Sequence, residues 1–326
     1  MIASMMTTRA LQLALPIAVA IATSARAFDI EGHRGARGLA PENTLAAFSR
    51  ALSIGVTTLE TDLAVTKDGV LVVAHDPVLN ADLVRGPDGQ WLAAAGPPIR
   101  TLTLAELKRY DIGRMNPQGR YARQFPQQVA VDGERFPTLN EMFALAKASG
   151  KPVRFNLETK IRPSHPDETV DPPTFARLVV AAVRDAGLTD RVTIQSFDWR
   201  TLREVSRLAP EIATVCLTSE TDGLDTVQRR TGAASAWHAG LALSAFEGSV
   251  PRLVRAAGCA SWSPNFRAVT PALVAEAHAL KLTVIPWTVN EPDDMARLID
   301  AGVDGIITDY PDRLRTVAAA KGLPLP

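Results

Sequence analysis

Cysteine is scarce: Cys216 and Cys259 are the two in a chain of 326 residues. That excludes a disulfide-built scaffold, and a chain this long buries a core without one. Both lie in apolar runs, "IATVCLT" and "AAGCASW". They read as buried core thiols, with a single bridge between them left open. Neither has metal-ligand spacing. Net charge is also lacking, since 35 Lys and Arg stand against 35 Asp and Glu. No nucleic-acid partner is indicated by such a balance. The apolar stretch from Ala10 to Ala22 is too short to span a bilayer. It follows Arg9 and precedes Ala25-Arg26-Ala27, an A-x-A pattern. That layout predicts a secretory signal over 1–27, an exported chain, periplasmic or secreted, over 28–326, and no membrane span after cleavage. There is no internal repeat and no low-complexity tract.

What is present is an alternation of short β-rich runs and amphipathic stretches. Strands are expected at 29–33, 57–65, 153–158, 191–197, 212–218, 259–264, 282–289 and 305–309. Between them, "TLAAFSRALSIG", "TLNEMFALAKASG", "PTFARLVVAAVRDAG", "PALVAEAHALK" and "PDDMARLIDAG" carry helical periodicity. Each opens on Thr or Pro, and most close in Gly. Eight strands alternating with helices predict an α/β fold of the TIM (β/α)8 barrel type. An open doubly wound sheet is the second option, but no G-x-G-x-x-G follows the first strand. Residues 77–136 break the rhythm. They are rich in Gly and Pro and hold one helical piece, "TLTLAELKRYDIG". They read as a small inserted segment after the second strand.

In such a barrel the chemistry sits at the carboxyl ends of the strands. The first strand ends in His33 and Arg34. The second carries Glu60 and Asp62, which face one way because side chains alternate along a strand. "DGVLVVAHD" then delivers His75 and Asp76. Glu158 and Lys160 again share a face. Gln195, Trp287, Asn290 and Asp309 end later strands. Three carboxylates make an oxygen-rich site suited to Ca²⁺ or Mg²⁺ rather than zinc. Arg34 and Lys160 add fixed charge for phosphate oxygens. Two histidines suit acid–base work near neutral pH. Taken singly, each residue reads as a solvated or structural group; their convergence at one end of the barrel points to phosphoryl chemistry.

"HRG", "PENT", "ETDLAVTKDGVLVVAHD", "FNLETK" and "GIITDYP", in this order from His33 to Pro311, resemble the glycerophosphodiester phosphodiesterase family. "FPTLNEMF" and the 77–136 insertion match in position. The resemblance implies a metal-dependent phosphodiesterase barrel that releases glycerol 3-phosphate from small glycerophosphodiesters. Glu60, Asp62 and Glu158 would hold the metal, and His33 and His75 would form the acid–base pair. Arg34 and Lys160 would grip phosphate, with Glu42, Asn43 and Gln195 in support. Glu42 and Asn43 would orient His33 or lie near the metal. Trp287 and Phe197 are candidates to line the glycerol or alcohol pocket. No cage for the alcohol is visible in the sequence, so many head groups are expected to be tolerated. The alternatives are a related phospholipase D, which needs an apolar loop at the barrel mouth, and a non-catalytic glycerophosphodiester-binding protein. Oligomeric state is left open.

Overall fold

The structure, a computed structural model, describes residues 27–325. The predicted signal segment lies outside them except for Ala27. Eight parallel strands form the barrel: β1 Asp29–Gly32, β2 Thr58–Val65, β3 Arg154–Thr159, β4 Val192–Ser196, β5 Ala213–Thr218, β6 Ser261–Pro264, β7 Thr283–Val284 and β8 Gly305–Thr308. Each is followed by a helix: α1 Leu45–Ile54, α2 Leu139–Ala148, α3 Pro172–Asp185, α4 Trp199–Leu208, α5 Val250–Ala256, α6 Pro271–Ala279, α7 Pro292–Asp300 and α8 Pro311–Ala320. The ladder runs β7-β6-β5-β4-β3-β2-β1-β8. Backbone bonds from Asp304 N–H to Val284 O, Ile307 N–H to Pro286 O and Val289 N–H to Ile307 O close β7 against β8. The expected barrel is therefore the observed one.

The sequence starts its helices chemically. Thr44 accepts from Ala47 N–H at the head of α1, and Thr138 with Glu141 forms a capping box on α2. Asp171, Asp198, Ser249 and Thr270 cap four more. The outer faces of the strands and the inner faces of these helices bury one continuous apolar layer, with Phe48, Leu63, Phe155, Phe175 and Trp199 among its largest members.

Two sequence expectations are corrected. Cys216 and Cys259 are not free core thiols but a disulfide, with Cα atoms 5.9 Å apart. Cys216 lies on β5, and Cys259 just precedes β6, its ladder neighbour. Parallel pairing thus brings 43 residues of separation to bonding range. The helix expected over 101–113 shrinks to Leu104–Leu107. It stops because Asp111 exchanges both backbone hydrogen bonds with Arg85, which takes the chain out of the helix. Residues 77–136 fold over a second, smaller apolar cluster that includes Ala64, Val72, Leu79, Val84, Ile99 and Phe136. Among the described residues no helix is long and apolar enough to cross a membrane.

Candidate active site

Strand alternation builds the site. Asp62 and Glu158 face each other directly across β2 and β3, and Glu60 stands opposite Asn156. One oxygen from each of Glu60, Asp62 and Glu158 lies within 4.8 Å of the others, and all three residues are buried. Asp62 Oδ1 is buried with no hydrogen-bond partner. Hard oxygen donors at this spacing, one of them unsatisfied, fit a divalent cation.

Burial raises the Glu60 carboxyl well above its usual range, and repulsion from Asp62 adds to this. Burial likewise pushes Glu158 up to about 7, against the pull of Lys160. Asp62 goes the other way. Burial opposes its charge, but Lys160 and Arg34 outweigh it and hold the carboxyl well below normal. Lys160 Nζ donates to Glu158 Oε1 at 2.8 Å and lies 3.4 Å from Asp62 Oδ1.

The loop after β1 is cut to fit. A side chain on Gly35 (φ 86°) would meet the Ala47 backbone at 2.6 Å, and one on Gly32 would meet Gly35 O at 2.2 Å. No other residue type fits so tight a loop on α1. Arg34 and Asn43 are both left-handed, at φ 51° and 56°. Asn43 N–H donates to Arg34 O, while Arg34 N–H donates to Glu60 Oε2 at 2.9 Å. Such strain persists where surrounding contacts over-determine it. The Arg34 guanidinium donates to Glu42 Oε1 at 2.7 Å; its Nε lies 3.2 Å from Asp62 Oδ2 but is poorly aligned with it. Asn43 Nδ2 donates to Asp62 Oδ2 at 3.0 Å and Asn43 Oδ1 accepts from Thr61. Neither Glu42 nor Asn43 orients His33. Glu42 holds Arg34, and Asn43 holds Asp62.

His33 is oriented by Asp309 instead. Its Nδ1 is 2.7 Å from Asp309 Oδ1, and its Nε2 is 4.0 Å from Glu60 Oε2. Asp309 accepts from Arg37 Nε and Nη2 and from Asn290 Nδ2. Burial lowers the His33 pKa to about 3, and the Arg37 charge adds to this against the Asp309 carboxylate. His75 repeats the pattern on the other side, with Nδ1 2.8 Å from Asp76 Oδ1 and Asp76 Oδ2 held by Asn80. Burial, then Arg34 and Lys160, lower its pKa as well. With Nδ1–H given to a carboxylate, Nε2 is the free nitrogen of each ring.

His33, Arg34, Glu60, His75, Glu158, Lys160, Gln195 and Trp287 line one cavity of about 180 Å³ at the carboxyl ends of the strands. Gln195 Nε2 donates to Glu60 Oε1 at 2.7 Å. Sequence reasoning noted Asp309 as a strand end without a role, and missed Arg37, Asn156 and Trp237. Asp309 is 276 residues from His33, and no local pattern joins them.

A barrel with this arrangement at its mouth belongs to the class that works on phosphate esters, where charge neutralisation and placed acid–base groups are the needed tools. The sequence model described as the glycerophosphoryl diester phosphodiesterase family matches residues 33–313, and the chain belongs to that family. A glycerophosphodiester phosphodiesterase of Caldanaerobacter subterraneus is 32% identical over 282 residues, 86% of this chain and 94% of the relative. A crystal structure of a putative glycerophosphoryl diester phosphodiesterase from Silicibacter pomeroyi superposes with TM-score 0.81 at 37% identity, covering 92% of this chain and 96% of that one. An Oleispira antarctica phosphodiesterase, solved with the product sn-glycerol-3-phosphate, shares the fold with TM-score 0.64 at 24% identity, over 89% and 96%.

Proposed function

We propose that this chain hydrolyses glycerophosphodiesters to glycerol 3-phosphate and an alcohol, with a divalent cation, Ca²⁺ or Mg²⁺, held by Glu60, Asp62 and Glu158. The observation that carries this reading is the pair of histidines, each backed by an aspartate, on one cavity with Glu60 and Glu158, whose carboxylates cluster with that of Asp62. The cation supplies charge neutralisation at the phosphate oxygens. Arg34 and Lys160 hold the same phosphate through their remaining N–H groups, Arg34 with a planar fork and Lys160 as a point charge. His33, neutral because it is buried, takes a proton from the attacking water on Nε2, so that the water oxygen bonds to phosphorus as the bond from phosphorus to the alcohol oxygen breaks. Asp309 fixes its tautomer and stabilises the imidazolium that forms. When charged, His75 gives its Nε2 proton to the leaving alcohol oxygen; the Asp62 and Asp76 carboxylates favour that state against burial and the nearby cations. The two histidines then exchange protons with water to reset.

The large apolar side chains exposed within the insertion are Val129 and Val131. That is little surface for docking on a bilayer, which supports a small diester over an intact lipid. The Cys216–Cys259 bridge supports an oxidising compartment, in keeping with export after cleavage at Ala27.

The test is a coupled glycerol 3-phosphate assay on the purified protein. EDTA abolishes release, and Ca²⁺ or Mg²⁺ restores it. His33→Ala and His75→Ala each lower kcat by roughly 10²–10⁴-fold, the span of general acid–base loss, while His165→Ala, on an exposed turn, stays near wild type. Full activity in excess chelator, or equal losses in all three variants, overturns the reading.

A further inference from the structure

Beside the catalytic cavity lies a second, outer one of about 240 Å³, and three aromatic rings from distant segments meet on its wall. Phe197 follows β4, Trp237 sits on the single turn Ala236–His238, and Trp287 follows β7. Phe197 stands nearly perpendicular to both tryptophans, at 76° and 6.3 Å to Trp237 and at 88° and 5.3 Å to Trp287. Pro77, Ile161 and Leu224 extend the apolar lining. Most of the polar groups there already have a partner. Asp76 holds His75 and Asn80, Lys160 is on Glu158, Arg162 is on Glu168, and Trp287 Nε1 donates to Ser263 O.

We propose that this outer cavity is the leaving-alcohol subsite, that it selects quaternary ammonium head groups, and that Trp237 is a specificity-determining residue. The proposal rests on the hydrolase reading above. His75 lines both cavities and its side chain is 27% exposed, whereas His33 lines the inner cavity and not the outer, at 10%. The proton donor to the leaving oxygen therefore stands at the boundary, and the alcohol lies on the outer side. A trimethylammonium group needs no hydrogen bond and is drawn to ring faces by their quadrupole. A polyol gives up its water to a largely aromatic and apolar wall that offers it few free donors and acceptors, which costs it binding. Lys160 and Arg162 do not repel the cation strongly, because each is paired with a carboxylate. Such a preference runs against the head-group tolerance expected from the sequence.

The experiment compares glycerol 3-phosphate release from the choline and glycerol esters. The wild type favours the choline ester in kcat/KM by about tenfold or more, or 1.4 kcal/mol in transition-state binding. Trp237→Ala removes most of that preference by raising KM for the choline ester, and Trp237→Phe restores part of it. Free choline inhibits competitively and quenches tryptophan fluorescence in the wild type, and does both more weakly in Trp237→Ala. A wild-type preference below threefold, or one that survives in Trp237→Ala, overturns the subsite. If Trp237→Ala does not fold, choline binding the wild type no tighter than glycerol overturns it. If neither ester is turned over, the hydrolase reading fails, and the fluorescence titration still decides the subsite.

Discussion

His238 is fully buried, yet neither of its ring nitrogens has a hydrogen-bond partner. It stacks on Trp199 at 4.0 Å and 18°, directly after Trp237 in the chain. Burial lowers its pKa to about 4, against a weak opposing pull from Asp225. The sign follows from linkage. Below the ordinary value of 6.5 the unfolded chain takes up a proton that the native ring refuses until about 4. The contribution is therefore fully present above 6.5 and is lost progressively as pH falls to 4, by roughly 3 kcal/mol at the acid end. His33 and His75 are shifted the same way, so the comparison must be differential. His238→Phe keeps the stacking and removes the proton. Its melting temperature should fall less than that of the wild type between pH 7 and pH 4. Parallel curves for the two proteins would count against this account.

At the scale of the element, β3 is where alternation meets function. Asn156, Glu158 and Lys160 follow one another at every second position. Asn156 Nδ2 donates to Glu31 Oε2 at 2.9 Å and to Gln195 Oε1 at 3.1 Å, while its Oδ1 accepts from Thr193. This turns the Gln195 oxygen towards Asn156 and leaves its amide nitrogen to donate to Glu60. A reversed amide would set oxygen against the carboxylate. The buried chain from Glu31 to Glu60 thus positions one carboxylate of the proposed cation site from deeper in the barrel. Asn156→Leu fills the space without either donor. The divalent-cation Kd, measured by calorimetry, is expected to rise roughly 10–100-fold, as for other outer partners of metal ligands, with the circular dichroism spectrum unchanged. An unaltered Kd would rule out the positioning role.

For the whole molecule, the disulfide matters most. It closes a loop of 43 residues that contains Trp237 and the rest of the segment over the barrel mouth. Both sulfurs are buried, with Cys216 and Cys259 at 0% and 1% exposure, so substitution tests the bridge better than a reductant does. By loop-closure entropy the bridge is worth about 4 kcal/mol, at the upper end of the typical span of about 2–4. The double variant Cys216→Ala, Cys259→Ala should unfold at a clearly lower urea concentration than the wild type. A coincident midpoint would show that the bridge adds nothing to the barrel.

The sequence by itself determined the strands, the barrel and the inward residues of each strand, because alternation at every second residue is a local property of an extended chain. It placed Glu60 with Asp62 and Glu158 with Lys160, and it marked His33, Arg34 and His75 as strand-end chemistry. Five helices were legible from their periodicity and caps. Only the tertiary structure decided which distant groups meet. Closing β8 against β1 set Asp309 beside His33, and pairing β5 with β6 joined Cys216 to Cys259. Three separate loops brought Phe197, Trp237 and Trp287 to one wall. Those contacts depend on register and loop path across the whole chain, which no window of residues contains, and with them came the tautomer of His33, the bridge and the outer cavity.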